Sequence, residues 1–191
     1  AAKSYADMAC YLAGLLFDDV PAADLERVVR DAYDFPIELH QIAENYSTLE
    51  LFHGPTYAFK DFGARFMGRM IGLLNNGGPL TILTATSGDT GSAVAHGFYD
   101  VEGVRVVILY PEGKVSPLQE AQMTTLGKNI YPLRVKGNFD DCQRLVKTMF
   151  CNEALRSQVR ITSANSINLL RWIPQSFYYF WGYAQLKRMG R

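Results

Sequence analysis

The chain has 191 residues, 48% hydrophobic and 20% charged, with 19 Lys+Arg balanced by 19 Asp+Glu. That mix is globular and uncharged overall, so it excludes a disordered chain and the basic footprint of a nucleic-acid-binding or polybasic membrane-binding protein. No apolar run reaches the roughly 20 residues that span a bilayer.

Residues up to 45 read as helices. Tyr5, Met8, Ala9, Leu12, Leu15 and Leu16 recur at helical spacing. Pro21 stands where a first-turn proline is tolerated, and Leu25, Val28, Val29 and Ala32 form the stripe of a second helix. Phe35-Pro36 is expected to end it. From Thr81 onward strands and helices alternate. The expected strands are 81–85, 104–110, 129–135 and a weak one at 159–162, with Pro132 pointing to an edge or a bulge. Helical patterns are expected over 92–99, 116–126 (ended by Gly127), 140–150 and 167–186, the last kinked at Pro174. Asn75 to Pro79 is the clearest turn between segments. This rhythm predicts an α/β fold: a parallel sheet with helices on both faces, preceded by an N-terminal helical region. Ligands of such sheets bind at the carboxyl ends of the strands. Here those ends are 86–91, 111–114, 136–140 and 163–166.

Three segments carry chemistry, two of them at these strand ends. Thr86-Ser87-Gly88-Asp89-Thr90-Gly91 follows a strand and opens a helix, so its glycines and free amides suit a carboxylate or phosphate. A plain helix cap explains the same residues, and Asp89 speaks against a phosphate. Ser163 to Asn168, with Arg171 one turn further on, forms a second candidate anion site or another cap with a solvated arginine. Lys60 lies among Phe52, Tyr57, Phe59 and Phe62, with Asp61 as its adjacent charge. Apolar surroundings favour a nucleophilic amine, and a snorkelling side chain is the alternative. Lys136 to Asp140 lacks a second glycine and reads as a turn capped by Asn138. Cys10, Cys142 and Cys151 form no Cys-x-x-Cys pair, and His40, His53 and His96 are scattered, so no disulfide framework and no metal site is expected.

Together, Leu51 to Thr56 with Phe59-Lys60-Asp61-Phe62-Gly63, the strand and loop 81–91, Val106 to Glu120, and Ser163 to Asn168 closely resemble the threonine synthase family. The resemblance implies a tryptophan-synthase-β-like fold that binds pyridoxal 5′-phosphate. The implied reaction turns O-phospho-L-homoserine and water into L-threonine and phosphate. It implies that Lys60 carries the cofactor as a Schiff base and moves protons at the substrate α- and β-carbons. Asp89 matches the position near the cofactor's 3-hydroxyl. Thr86, Ser87, Gly88, Asp89 and Thr90 match the loop that holds the substrate carboxylate, and Asn165, Ser166 and Arg171 match a cradle for the substrate phosphate. On this basis residues 1–46 are a helical region, 47–78 the cofactor-lysine segment and 79–191 the substrate-binding α/β region. The family's chains are longer at both ends, and its cofactor-phosphate loop lies beyond residue 191, so the chain is expected to be a fragment. No initiator Met and no leader are seen around Ala1-Ala2-Lys3, and a cytoplasmic monomer or homodimer is expected. A serine or threonine dehydratase-like lyase and a non-catalytic homologue are the rival expectations.

Overall fold

The computed structural model describes residues 4–190; Ala1, Ala2, Lys3 and Arg191, used above in reading the two ends, lie outside the described residues. Helices α1 (Tyr5–Leu16) and α2 (Ala22–Ala32) open the chain. Ser4 and Asp7 close a reciprocal capping box on α1, and Pro21 stands just outside α2 as its N-cap. The next segment corrects the helical expectation. An antiparallel hairpin forms from β1 (Glu38–Ala43) and β2 (Tyr46–Glu50), with Leu39 opposite Leu49. The strands are mostly exposed, so the alternation that marks a half-buried strand is faint in the sequence.

Helix α3 (Lys60–Leu74) is the centre of the molecule. One face, Phe62, Phe66 and Met70, packs with Tyr5, Tyr33, Phe177, Tyr178 and Trp181 in an aromatic core under α1 and α2. The other face, Ala64, Met67 and Ile71, joins a second core that also holds strand residues of the sheet. That sheet has four parallel strands: β3 (Leu80–Ala85), β4 (Val104–Pro111), β5 (Ile130–Val135) and β6 (Arg160–Ser163). Helices α4 (Asp89–Gly97) and α5 (Pro117–Thr124) join α3 on the face built from Ile82, Val106 and Ile108. Helix α6 (Phe139–Cys151), capped by Asn138 as expected, lays Cys142 and Val146 on the opposite face against Leu83, Ala85 and Leu109. Odd and even strand residues thus serve different helices, as the two-residue period requires.

Strand order is β5-β4-β3-β6. Pro132 lies on edge strand β5, where a missing N–H is tolerated. The chain moves outward from β3 to β5, passes through the short α7 (Glu153–Gln158), and returns to the other side of β3. The reversal puts a switch point between β3 and β6, and a crevice opens outside the strand ends at such a point. The long helix expected beyond β6 forms as three adjoining helical stretches. Leu169–Trp172 forms α8, Ile173–Ser176 tightens to a 3-10 turn with Pro174 in its first turn, and α9 runs Phe177–Arg188. Proline lacks the N–H of a regular α-helical turn, and the helix tightens where the kink is expected.

Candidate functional site

The turn before α3 is built around Asp61. Its carboxylate accepts the Thr56 amide at 2.9 Å and the Thr56 hydroxyl at 2.6 Å, and the residue is fully buried. Gly54 makes room: a Cβ there would meet Asp61 Oδ2 at 2.5 Å. Tyr57 takes a left-handed φ of 57° within this turn, a strained conformation for a bulky residue. Lys60 follows as the first residue of α3, and its Nζ donates to Asp89 Oδ2 at 3.1 Å. The expected shell is therefore different in detail. Asp61 faces away from the amine, Phe62 points into the core, and Phe52, Tyr57 and Phe59 are exposed. Phe59 lies under the ammonium at 4.9 Å. The charge that meets Lys60 is Asp89, far away in sequence.

Asp89 opens α4 just past the end of β3. Thr86 is buried, and its Oγ1 accepts the amides of Gly88 and Gly91 at 2.9 and 2.8 Å, which fixes the loop. Gly88 has φ 146°, which strains any side chain, and a Cβ there would come within 2.7 Å of Gln119 Cδ. Ser87 is exposed and Thr90 half-buried. The first amides of α4, at Asp89 and Thr90, have no acceptor within the helix by position. Gln119, on α5, donates from Nε2 to Asp89 Oδ1. Gln119 lies within the run Val106 to Glu120, and nothing local in the sequence shows that α5 lies over α4.

Asn165 stands at the switch point. Its Oδ1 accepts from Thr84 Oγ1 at 3.1 Å and Ser163 Oγ at 3.3 Å, and its Nδ2 donates to the Ala85 carbonyl at 3.2 Å. It clips β6 to the end of β3. Ser163, Asn165 and Ser166 also line a pocket of about 510 Å³ against α6, where Lys147 is the cation. Arg171 follows Asn165 by two hydrogen-bonded turns, Asn168 N–H to Asn165 O and Arg171 N–H to Asn168 O, each at 3.0 Å. It lies under α3, where a Cβ on Gly63 would meet its Nη1 at 2.5 Å. It is 4% exposed, and its Nε and Nη1 have no hydrogen-bond partner among the described residues. Burial pushes its pKa down to about 10, opposed in part by the Asp61 carboxylate. The structure thus brings Lys60, Asp89 and the 86–91 loop together and sets Asn165 beside that loop's strand. It buries the Arg171 side chain against Gly63 of α3.

An open cleft of about 540 Å³, lined by Phe52, Tyr57, Phe59, Asp89, Tyr178 and Tyr179 among others, adjoins the Lys60–Asp89 pair. Aromatic walls suit a flat ring, and the paired amine and carboxylate suit an aldehyde and its neighbouring hydroxyl. These residues fit pyridoxal phosphate at its reactive end. Away from the cleft, the hairpin gathers ligand atoms of Glu38, His40 and Glu50 within 4.8 Å of one another, and His53 bonds Glu50 at 2.7 Å. His40 and His53, apart in sequence, both meet Glu50.

Residues 37–176 match the family described as pyridoxal-phosphate dependent enzymes. The chain is 51% identical over 180 residues to threonine synthase of Haemophilus influenzae, covering 94% of this chain and 42% of that one. The values for threonine synthase of Escherichia coli are the same. The solved structure of pyridoxal-phosphate-bound threonine synthase from Brucella melitensis superposes with a TM-score of 0.90 at 42% identity, covering 100% of this chain and 43% of that one. Diaminopropionate ammonia lyase from Escherichia coli, at 17% identity and a TM-score of 0.62, shares the fold. The chain spans about two-fifths of the length of the curated relatives it matches.

Proposed function

The chain belongs to the pyridoxal-phosphate dependent enzymes, and from that premise we propose that it is the part of a longer threonine synthase that carries the cofactor lysine and the substrate carboxylate loop. The reaction is O-phospho-L-homoserine plus water to L-threonine plus phosphate. The observation that carries the reading is Lys60: a single amine at the start of a buried helix, held at 3.1 Å from Asp89 beside the switch point and an aromatic cleft.

Lys60 and Asp89 would hold the reactive end of the cofactor, which supplies an electron sink for charge that develops on the substrate carbons. Lys60 is the chain's own base and acid: its amine moves the protons at the substrate α- and β-carbons. The start of α4 receives the substrate carboxylate through the amides of Asp89 and Thr90, with the hydroxyls of Ser87 and Thr90 as further donors. Thr86 and Gly88 shape that loop. Asn165, Ser166 and Arg171 are proposed for the leaving phosphate. Support for Arg171 is its own state: a buried guanidinium with two unpartnered nitrogens gains most from a dianion. A cytoplasmic setting is supported by three free cysteines. No helix of the described residues is long and apolar enough to cross a membrane.

The test is product analysis with the full-length protein and pyridoxal phosphate. Incubation with O-phospho-L-homoserine is expected to release phosphate and L-threonine in equal amounts. Formation of 2-oxobutyrate from threonine, without phosphate release from phosphohomoserine, would establish the dehydratase instead.

A further inference from the structure

The Lys60–Asp89 pair has an unassigned third member. Asp89 is the first residue of α4, and half of its side-chain surface is open (49%). A carboxylate in that place is free to turn toward its own helix amides. One oxygen nevertheless faces Lys60, and the other faces Gln119.

Gln119 is tied on every side. The Ser116 hydroxyl donates to its Oε1 at 3.0 Å and accepts its backbone N–H at 3.3 Å. The Ser92 hydroxyl, on α4 itself, reaches its backbone carbonyl at 3.3 Å. The Asp89 carboxylate fixes which way the amide points. A carboxylate only accepts, so Nε2 is the end that meets it and Oε1 is left for the Ser116 hydroxyl; the flipped amide would set oxygen against a carboxylate. Gly88 permits the approach, because a Cβ at that position would collide with the amide.

We infer that Gln119 is a positioning residue: anchored by Ser116 and Ser92, it locks Asp89 so that one carboxylate oxygen is presented to Lys60. The inference rests on the reading of Lys60 as the cofactor lysine. Gln119 touches neither the amine nor the reacting atoms and acts through Asp89 alone.

The experiment uses the full-length holoenzyme. Gln119→Ala is expected to lower kcat about tenfold, the scale of one hydrogen bond to a charged group, with KM within about twofold. The visible circular dichroism of the bound pyridoxal phosphate is expected to change, because the chromophore is no longer seated against a fixed carboxylate. In an Asp89→Asn background the same substitution is expected to add little, since the two act as one unit. Gln119→Glu keeps the volume and sets like charges together, so it is expected to fall below Gln119→Ala. Should Gln119→Ala fail to fold, Gln119→Glu and Ser116→Ala carry the same readouts.

Unchanged kcat and dichroism, or effects that multiply fully with those of Asp89→Asn, overturn the inference. Borohydride trapping of the parent separates the two readings. A label on a lysine other than Lys60 overturns the cofactor assignment and this inference with it. A label on Lys60 together with unchanged Gln119 variants overturns this inference alone.

Discussion

Two cations stand at the start of α3 in opposite electrostatic situations. Lys60 is half-buried, with a carboxylate at 3.1 Å and a ring beneath it. Arg171 is buried against Gly63 of that helix with two nitrogens unpartnered. The difference teaches which part of the site this chain completes by itself. The lysine side has its amine, its countercharge and the residue that holds the countercharge, all within residues 60–119. The arginine side has only the proximity of Asp61, whose oxygens already serve Thr56. An uncompensated buried charge is a liability for folding, and binding sites are where such liabilities persist.

The comparison breaks first at Lys60. Lys60→Ala in the full-length protein is expected to lower kcat by about 10⁴-fold or more, on the scale seen when a covalent catalyst is deleted. Steady-state phosphate release measures it. Retention of more than a hundredth of the parent rate would mean that another amine does the work.

The next effect is on stability, and its sign is unusual. The pKa of Arg171 is pushed down to about 10 on folding because burial disfavours the cation. The folded chain therefore binds this proton less tightly than the unfolded chain. The penalty is fully present below pH 10 and fades as pH rises from there toward the ordinary arginine range. At neutral pH, Arg171→Met is expected to stabilise the 191-residue chain by about 2 to 3 kcal/mol, read from urea denaturation. A destabilised variant would show that Arg171 is satisfied in solution and that the contrast with Lys60 is false.

Arg171→Lys sharpens the same point through function. It keeps the charge and loses the planar fork. In the full-length protein kcat/KM for phosphohomoserine is expected to fall by about tenfold or more. A value within about twofold of the parent would remove Arg171 from the substrate site and leave it a buried structural residue.

How much of this was legible before folding follows from where each signal lies. The βαβ rhythm, the strand ends, the Asn138 cap and the edge position of Pro132 are local patterns, and each is found where the sequence places it. The family was legible because its motifs are contiguous runs. The partners of the site residues were not. Asp61 is adjacent to Lys60 in sequence yet turned into Thr56, while Asp89 and Gln119 reach the site across the α3, α4 and α5 packing. The hairpin at 38–50 was missed because its faces are exposed and carry little alternation. Burial of Arg171 was missed because it depends on Gly63, whose lack of a side chain opens the space in another helix.

The smallest expected effect decides what Asn165 is. Its side chain joins β6 to β3 through Thr84 and Ala85, while its place at the switch point also suits a ligand. Thr84 is fully buried, and Thr84→Val keeps its shape while removing the hydroxyl donor. Asn165 Oδ1 still accepts from Ser163 Oγ, so no acceptor is stranded, and the loss is expected to be about 1 kcal/mol, the usual worth of one hydrogen bond. Urea denaturation reads the stability, and KM for phosphohomoserine reads the site. If Asn165 is chiefly a clip between strands, the missing bond appears in stability and KM stays within about twofold. If the side chain also presents its amide to the substrate phosphate, the loosened residue raises KM by more than the stability loss accounts for. In the first case the anion-binding side of the crevice loses one of its three proposed members, and Arg171 stands closer to alone.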